Sequence, residues 1–326
     1  MDVEHHEAHV NGIDLHYVTL GSGPPVIFCH GLPHLWYTWH HQLPVVAAAG
    51  RQAVAIDVRG MGSSEVPDDP AAYPGQLTFD LLGLLDHLGH ERAVFSGFDI
   101  GMMAAWDIAV RAPERVEGII GFNTPILAPP GQPGDAASVS PDFIAMGEDH
   151  FYHVTWYNRD PEAAVALLDA NTREFLFKLL WALSGGFPWA DMMQLPPETS
   201  YLDALPDPPP LPWPWFTEDD LDVYVDAYEA SGFRGVVNHY TSMRHPPPPP
   251  PDDPGRPITA PVCFLAADRD MDLVDVQIFG KLPLETMRQR VRDLREVLVV
   301  RGAGHLVHME RPDEVNAFIE RFLKSL

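Results

Sequence analysis

The sequence predicts an α/β protein with a mostly parallel sheet flanked by helices and a mostly helical segment inserted into it. Short apolar runs alternate with helical stretches up to about residue 122, at a spacing typical of parallel strands joined by right-handed crossovers. The alternation stops between about 128 and 257, where Pro, Trp and Tyr are abundant, and resumes afterwards. We therefore expect one α/β core in two pieces, with a cap between them.

Local patterns predict the elements of the first piece. A hairpin is expected between His9 and Leu20, because Asn11-Gly12 separates two extended runs. Continuous apolar runs of buried-strand type predict strands at 26–29, 53–56, 93–95 and 116–122. Apolar residues at helical spacing predict helices at 36–49, 78–88 and 100–111.

The remaining chain divides into the cap and the second piece of the core. The core is predicted to comprise 1–128 and 258–326, with the cap, 129–257, inserted after the sixth strand. Helices are expected at about 162–183, 218–231, 285–293 and 313–323, and strands at 262–266 and 297–300. Proline tracts at 206–210 and 246–251 are stiff and extended, which favours surface connectors.

Composition narrows the function classes. The 326 residues are 46% apolar, enough for a sizeable core, and the net charge of −25 disfavours phosphate backbones and anionic lipids. We therefore expect no nucleic-acid and no membrane partner. Cys29 and Cys263 lie in apolar runs and are expected to be buried thiols of a reducing compartment. With an acidic N-terminus unlike a signal peptide, this indicates a cytoplasmic protein.

A sharp turn with a carboxylate at its centre is predicted between a strand and a helix. Residues 97–101, GFDIG, match the nucleophile-elbow pattern G-x-S-x-G, with Asp99 in place of serine. Such a turn needs residues without side chains two positions before and after its centre, and it exposes the central side chain at a helix N-terminus, where the helix dipole favours an anion. Taken alone, the pattern is also that of an Asp capping the next helix.

Three further strand ends carry residues of interest. His30-Gly31 follows the first core strand, and its turn is expected to aim a backbone N–H at Asp99, forming an oxyanion hole with the N–H of Ile100. His305 follows the last strand after small residues, at the sheet edge where ligands bind in such folds. A carboxylate after the strand at 262–266 would orient this histidine, and Asp268 and Asp270 compete for that role.

The order of these residues is more specific than any single match. Asp99, the acid and His305 follow the chain order nucleophile, acid, histidine that is typical of α/β-hydrolases, and each follows a predicted strand. The combined pattern therefore predicts an α/β-hydrolase with an aspartate nucleophile.

Four segments of the predicted core resemble the epoxide hydrolase family of this fold. Residues 30–39, HGLPHLWYTW, are similar to its H-G-x-P-x-x-W-x-x-W stretch, and residues 57–64, DVRGMGSS, to its D-x-R-G-x-G-x-S loop. Residues 266–270, AADRD, resemble its acid-bearing strand end, where the matching residue is Asp270. Residues 304–312, with GH and MERP, resemble its histidine motif. The resemblance covers nearly the whole chain.

The cap carries two tyrosine segments of this resemblance. Residues 156–161, WYNRDP, are similar to the family's Y-F-Q-x-P segment, and residues 232–240, GFRGVVNHY, to its G-F-R-G-x-x-N-x-Y segment. The resemblance implies that Tyr157 and Tyr240 are paired acids above Asp99, and that a small apolar epoxide becomes a vicinal diol through an Asp99 ester. The tetrahedral oxyanion would bind the N–H groups of Leu32 and Ile100.

The elbow departs from the family pattern at two positions. The family usually has His before the aspartate and often Trp after it, where this chain has Phe98 and Ile100. These changes make the pocket floor aliphatic but remove no reacting atom. The residues expected to line the substrate pocket are His30, Trp36, Phe98, Pro125, Trp181 and Phe187.

The sequence is also compatible with two other functions. A hydrolytic dehalogenase shares the aspartate nucleophile, but it needs halide donors, and the side chains of Leu32 and Ile100 donate nothing. A ligand-binding protein on this scaffold need not keep the triad, which is intact here. We expect no cofactor and no metal, because residues 5–9, HHEAH, do not match H-E-x-x-H and are typical of a solvated N-terminal segment. A monomer and a homodimer are both compatible with the sequence.

Overall fold

A single mixed sheet organises the protein, whose computed structural model describes residues 2–126, 147–249, 251–253, 255–271 and 283–326. In chain order its strands are β1 (Glu4–Val10), β2 (Ile13–Leu20), β3 (Pro25–Cys29), β4 (Gln52–Ile56), β5 (Ala93–Gly97), β6 (Val116–Phe122), β7 (Ile258–Ala267) and β8 (Val291–Val300). Their order across the sheet is β1-β2-β4-β3-β5-β6-β7-β8. β2 is antiparallel to both of its neighbours and the other adjacent pairs are parallel, which confirms the predicted sheet.

Helices cover this sheet and fill the chain between β6 and β7. In chain order they are α1 (Leu43–Ala48), α2 (Gln76–His87), α3 (Ile100–Arg111), α4 (His153–Arg159), α5 (Pro161–Asp169), α6 (Thr172–Ala182), α7 (Tyr201–Ala204), α8 (Glu218–Ser231), α9 (Arg234–Thr241), α10 (Pro283–Arg290), α11 (Val307–Glu310) and α12 (Pro312–Leu323). None of the described helices combines the length and apolarity needed to cross a bilayer.

The central strands form because their side chains are apolar on both faces. Every residue of β3 and β5 is buried, as expected for parallel strands covered by helices on each side. Their carboxyl ends meet at one edge of the sheet, together with those of β6, β7 and β8. This edge therefore collects the segments that follow five strands.

The N-terminal hairpin is longer than predicted. Asn11 and Gly12 have φ values of 47° and 77°, which form the predicted tight turn. Residues 5–9 are not a solvated tail as expected, because they belong to β1 and pair with β2, although the side chains of His5, Glu7 and His9 are exposed. Ala8 and Val10 are buried beneath this strand, so its alternating side chains have a packed face.

Three helix predictions need correction. The stretch 36–49 is a short 3₁₀ turn, Trp36–Trp39, followed by α1, whose Pro44 lacks an N–H and fits only its first turn. The stretch 162–183 is two helices, α5 and α6. The helix expected at 285–293 ends at Arg290, because the residues after it pair with β7 as the long edge strand β8. Charged residues on the open side of an edge strand hide its β pattern.

The helices α4 to α9 constitute the described part of the cap. The predicted cap boundary at 128/129 lies outside the described residues, and the division into core 1–128 with 258–326 and cap 129–257 stays a prediction. The proline tract at 206–210 forms neither helix nor strand, as expected of a connector. Residue 250 of the second tract lies outside the described residues.

Candidate active site

Asp99 sits at the sharp turn between β5 and α3. Its φ of 53° and ψ of −134° are unusual for a residue with a side chain. Gly101 makes this turn possible, because a Cβ there would lie 2.3 Å from the carbonyl oxygen of Cys29. The Asp99 N–H donates to Oγ1 of Thr124, at 2.8 Å, so the end of β6 supports the turn. The strained backbone thus presents the carboxylate at the sheet edge.

Backbone N–H groups surround the Asp99 carboxylate. Leu32 N–H donates to Oδ1 at 2.9 Å, and the N–H of Ile100 also binds the carboxylate. Burial raises the pKa of the Asp99 carboxyl, while His305 and these two N–H groups act in the opposite direction. The sequence expectation that Leu32 and Ile100 direct N–H groups at Asp99 therefore matches the geometry.

His305 and Asp270 form a buried pair. Nδ1 of His305 donates to Oδ2 of Asp270 at 2.6 Å, and both side chains are almost fully buried. Asp268, the other candidate, is exposed, and its Oδ1 accepts the N–H of Gly302 at 2.6 Å. The structure thus brings Asp270, and not Asp268, to the histidine, and leaves Nε2 of His305 as the ring nitrogen on the far side from this carboxylate.

Two cap tyrosines stack on each other. The ring centroids of Tyr157, on α4, and Tyr240, on α9, are 4.2 Å apart, and their planes deviate by 6°. Nδ2 of Asn158 donates to the carbonyl oxygen of Tyr240 at 3.1 Å, which ties α4 to α9. Burial raises the pKa of both phenols well above 10, and for Tyr240 the charge of Asp99 adds to the effect. Both hydroxyls are therefore protonated at neutral pH, and Tyr240 lies within electrostatic reach of Asp99.

Two expected pocket residues are buried beneath the site. Nδ1 of His30 donates to the carbonyl oxygen of Gly31 at 2.8 Å, and its Nε2 accepts the N–H of Val58 at 3.0 Å. Burial lowers the pKa of His30 to about 4, so it is neutral and its two ring nitrogens are occupied by backbone. Phe98 is fully buried, with its ring 5.3 Å from that of His305 and 4.6 Å from that of His308. Phe98 therefore packs against the rings of His305 and His308.

The other expected pocket residues are dispersed. The ring of Trp36 packs against His5 of β1 at 5.4 Å, and that of Trp181 packs against Trp213 at 5.0 Å. Pro125 is buried directly after Thr124, and Phe187 is half-buried after α6. As pocket walls, these residues remain predictions.

Two residues near the triad were missed by the sequence reasoning. His153, on α4, is buried with its ring 5.6 Å from that of Tyr240 and 5.6 Å from that of Trp189. Its Nδ1 has no hydrogen-bond partner among the described residues, and burial lowers its pKa to about 3. Sequence offered no signal for it, because a histidine on a cap helix has no pattern of its own.

Asn123 joins two loops of the site. Its Nδ2 donates to the carbonyl oxygen of His305 at 3.0 Å, and its Oδ1 accepts the N–H of Ala267 at 2.8 Å. Its φ of 58° places it just beyond the end of β6. The available signal was its position, since it follows a strand at the same edge as the other site residues.

The assembled groups suit nucleophilic substitution followed by hydrolysis. A carboxylate lies against two N–H donors, a histidine is oriented by a second carboxylate, and two neutral phenols lie in the cap. Within the described ranges, no group of three or more His, Cys, Asp or Glu side chains is arranged to hold a metal ion.

Comparisons with known proteins identify the fold and the family. Residues 24–174 match the family model of the alpha/beta hydrolase fold. The chain is 31% identical to epoxide hydrolase 2 of Siraitia grosvenorii, covering 99% of each protein, and 33% identical to epoxide hydrolase A of Mycobacterium tuberculosis, covering 97% of this chain and 96% of the other. The crystal structure of epoxide hydrolase A from Mycobacterium thermoresistibile superposes with a TM-score of 0.84 at 32% identity, covering 100% of this chain and 99% of the other. The chain belongs to the epoxide hydrolase family of the α/β-hydrolase fold.

Proposed function

We propose that this enzyme converts a small apolar epoxide and water to a vicinal diol through a covalent ester of Asp99. The observation that carries the proposal is the stacked, buried pair of Tyr157 and Tyr240, with Tyr240 in electrostatic reach of the Asp99 carboxylate. A simple ester hydrolase needs no such pair of phenols, because its oxyanion is held by N–H groups. Opening an epoxide creates an alkoxide on the other side of the substrate, where acids are needed.

In the first step, one oxygen of Asp99 attacks an epoxide carbon, and the ring carbon–oxygen bond breaks. The resulting alkoxide takes a proton from one of the two phenols while the other donates a hydrogen bond. Their raised pKa values keep Tyr157 and Tyr240 protonated before the reaction, and an alkoxide is still far more basic than a phenolate. The product of this step is an alkyl ester of Asp99.

In the second step, His305 takes a proton from a water molecule, which attacks the carboxyl carbon of Asp99. Asp270 stabilises the imidazolium that forms. The negative oxygen of the tetrahedral intermediate is stabilised by the N–H groups of Leu32 and Ile100, which already bind the free carboxylate. The ester carbon–oxygen bond breaks, and the departing alkoxide takes the proton of the His305 imidazolium and leaves as the diol. The carboxyl proton of Asp99 passes to the phenolate left by the first step, and Asp99 retains one oxygen from water.

The surroundings of the nucleophile favour an apolar substrate. Ile100 follows Asp99 with an aliphatic side chain, and the cap residues next to Tyr157 and Tyr240 are largely aromatic. A cytoplasmic location is supported by Cys29 and Cys263, which are both unpaired, buried thiols.

The other two functions lack a supporting observation. A hydrolytic dehalogenase would need halide donors beside Asp99, and the side chains of Leu32 and Ile100 are aliphatic. A ligand-binding protein would not need the short hydrogen bond from His305 to Asp270. Halide release from haloalkanes would support the first of these functions, and binding of epoxides without turnover would support the second.

A single turnover in heavy-oxygen water tests the covalent route. Enzyme in excess is mixed with styrene oxide, and both the diol and the Asp99 peptide are analysed by mass spectrometry. We expect the label in Asp99 and not in the diol, because the water attacks the carboxyl carbon. Asp99→Ala is expected to abolish turnover, and His305→Gln to accumulate the ester. Label that enters the diol directly would reject the covalent route.

A further inference from the structure

The cap and the loop that carries His305 meet backbone to backbone. The three residues that follow α6, Leu183 to Gly185, lie directly on this loop. The N–H of His305 donates to the carbonyl oxygen of Leu183 at 2.7 Å. A Cβ on Gly304 would lie 2.4 Å from the carbonyl carbon of Ser184, so no side chain fits between the two segments. A shift of the cap at this point would therefore move Gly304 and the backbone of His305.

Glu310 binds both sides of this junction. It follows His305 by five residues, on α11, and is 7% exposed. Its Oε2 accepts the N–H of Gly185 in the cap at 2.9 Å, and its Oε1 accepts the N–H of Gly304 in the histidine loop at 2.8 Å. Hydrogen bonds from backbone N–H groups to a buried carboxylate are shorter and stronger than neutral ones. One side chain thus fixes the distance between the cap and the residue before His305.

Burial of this carboxylate is unfavourable unless its hydrogen bonds compensate. Burial raises the pKa of Glu310 to about 7, and the N–H groups of Gly185 and Gly304 act against that rise. A buried carboxylate at this position is stable only when both N–H donors are in place, whereas an apolar residue would need neither. Both hydrogen bonds therefore form only when the cap and the histidine loop are in contact.

A second link crosses the same junction from the acid loop. The N–H of Arg269 donates to the carbonyl oxygen of Ala303 at 3.1 Å, and its guanidinium donates to the carbonyl oxygen of Gly185 at 2.7 Å. Arg269 adjoins Asp270, so the acid, the histidine loop and the cap share one set of contacts. The position of His305 relative to Asp270 is consequently tied to how the cap lies at this edge.

We propose that Glu310 is a positioning residue that couples the cap to His305 and thereby sets the rate of ester hydrolysis. The proposal rests on the function proposed above, in which His305 activates water only in the second step. Glu310 touches no reacting atom. It acts through Gly304 on the histidine that does.

The tyrosines are anchored to the core at a different edge. Nδ2 of Asn238, on α9, donates to the carbonyl oxygen of Pro67 at 3.0 Å, and the ring of His239 hydrogen-bonds through Nε2 to the carbonyl oxygen of Arg59 at 2.9 Å. These contacts hold Tyr240 and its stacked partner without Glu310. Loosening the Glu310 junction should therefore affect hydrolysis and leave the ring-opening step unchanged.

The test separates the two chemical steps in Glu310→Gln at pH 8, where Glu310 is ionised. An amide has one acceptor and one donor group, so one of the two N–H groups loses its acceptor and faces another donor. Enzyme in excess is mixed with styrene oxide, quenched at intervals, and the Asp99 ester is followed by intact-protein mass spectrometry. Glu314→Gln, the same change at an exposed carboxylate of α12, is the matched control.

We expect the ester to form at the wild-type rate in Glu310→Gln and to decay about 10–100-fold more slowly, as for a small misplacement of a reacting group. Glu314→Gln should match the wild type in both steps. Wild-type decay in Glu310→Gln would overturn the proposal, and so would equal slowing of both steps, which indicates a merely structural role. Failure of the wild type to form any ester would instead refute the proposed function.

Discussion

The phenol rings of Tyr157 and Tyr240 lie parallel, with their centroids 4.2 Å apart, although they come from separate cap helices. The hydrogen bond from Asn158 to the carbonyl oxygen of Tyr240 joins the helices. The pair is therefore held together through both its rings and its helices, and in the proposed function its two hydroxyls donate to one developing alkoxide.

Removal of either hydroxyl should slow ring opening. We expect Tyr157→Phe and Tyr240→Phe each to reduce the rate of ester formation by about 10²–10³-fold, as for the loss of one donor to a developing oxyanion. The stacked rings remain, so the fold should not change. Rapid-quench measurement of ester formation from styrene oxide checks the rates, and Tyr201→Phe, whose ring lies edge-on to Tyr157 at 5.7 Å, is the control. A wild-type rate in the double variant would contradict the assignment.

The pair of Asp270 and His305 predicts a different defect. Asp270→Asn removes the charge that stabilises the imidazolium and favours the wrong ring tautomer, so ester hydrolysis should fall by about 10⁴-fold. Formation of the ester should continue, because Asp99 and the tyrosines are unchanged. The ester should accumulate in a mass spectrum taken after mixing with epoxide.

Asp268→Asn is the matched control for this prediction. Asp268 is two residues away and exposed, and its Oδ1 accepts the N–H of Gly302. It should keep the wild-type rate of hydrolysis. Equal defects in the two variants would mean that the acid of the triad has been misassigned.

The sequence predicted those candidate site residues that directly follow a strand. Asp99 and His305 were found because each follows a strand, and carboxyl ends of parallel strands share one edge. The choice between Asp268 and Asp270 could not be made from spacing, because both follow β7 closely. The resemblance to the epoxide hydrolase family favoured Asp270, and in the structure Asp270 is buried against His305 while Asp268 is exposed.

The residues that sequence missed depend on how the cap lies on the core. His153 contacts Tyr240 of another cap helix, and Glu310, although it lies in a segment that resembles the family's histidine motif, binds Gly185 of the cap 125 residues away. No periodicity encodes such contacts. The same long-range pairing explains residues 291–293, which were assigned to the end of a helix and instead begin β8, whose residues 297–300 were predicted as a strand.

A buried ion pair next to the cap should matter for stability. Nε of Arg59 donates to one oxygen of Asp80 at 2.7 Å and Nη2 to the other at 2.5 Å, and both side chains are almost fully buried. Asp80→Asn leaves the guanidinium without its counter-charge, so we expect a loss of about 3–5 kcal/mol in the free energy of unfolding. Urea denaturation measures it.

An exposed ion pair provides the comparison. Arg321 and Glu296 form a hydrogen-bonded pair at the surface, with side chains 52% and 36% exposed. Arg321→Gln should change the free energy of unfolding by less than about 1 kcal/mol. Similar losses of unfolding free energy in Asp80→Asn and Arg321→Gln would mean that burial does not increase the cost of removing one partner of an ion pair.

The raised pKa of Glu310 predicts a pH-dependent stability difference. Burial raises this pKa from 4.5 to about 7, so the folded protein binds the proton more tightly than the unfolded chain does. The stabilisation by this group is then complete below the unfolded pKa and is lost as the pH rises through about 7. Glutamine is neutral at every pH, so the Glu310→Gln variant lacks this pH-dependent contribution to the free energy of unfolding. Between pH 4 and pH 8 the unfolding free energy of the variant should therefore gain about 3 kcal/mol relative to the wild type.

Urea denaturation of both proteins at each pH measures this difference, and the contributions of other groups that titrate equally in both proteins cancel. A difference that is the same at both pH values would show that Glu310 titrates in the folded protein as it does in the unfolded chain, which would be incompatible with a buried carboxylate between Gly185 and Gly304.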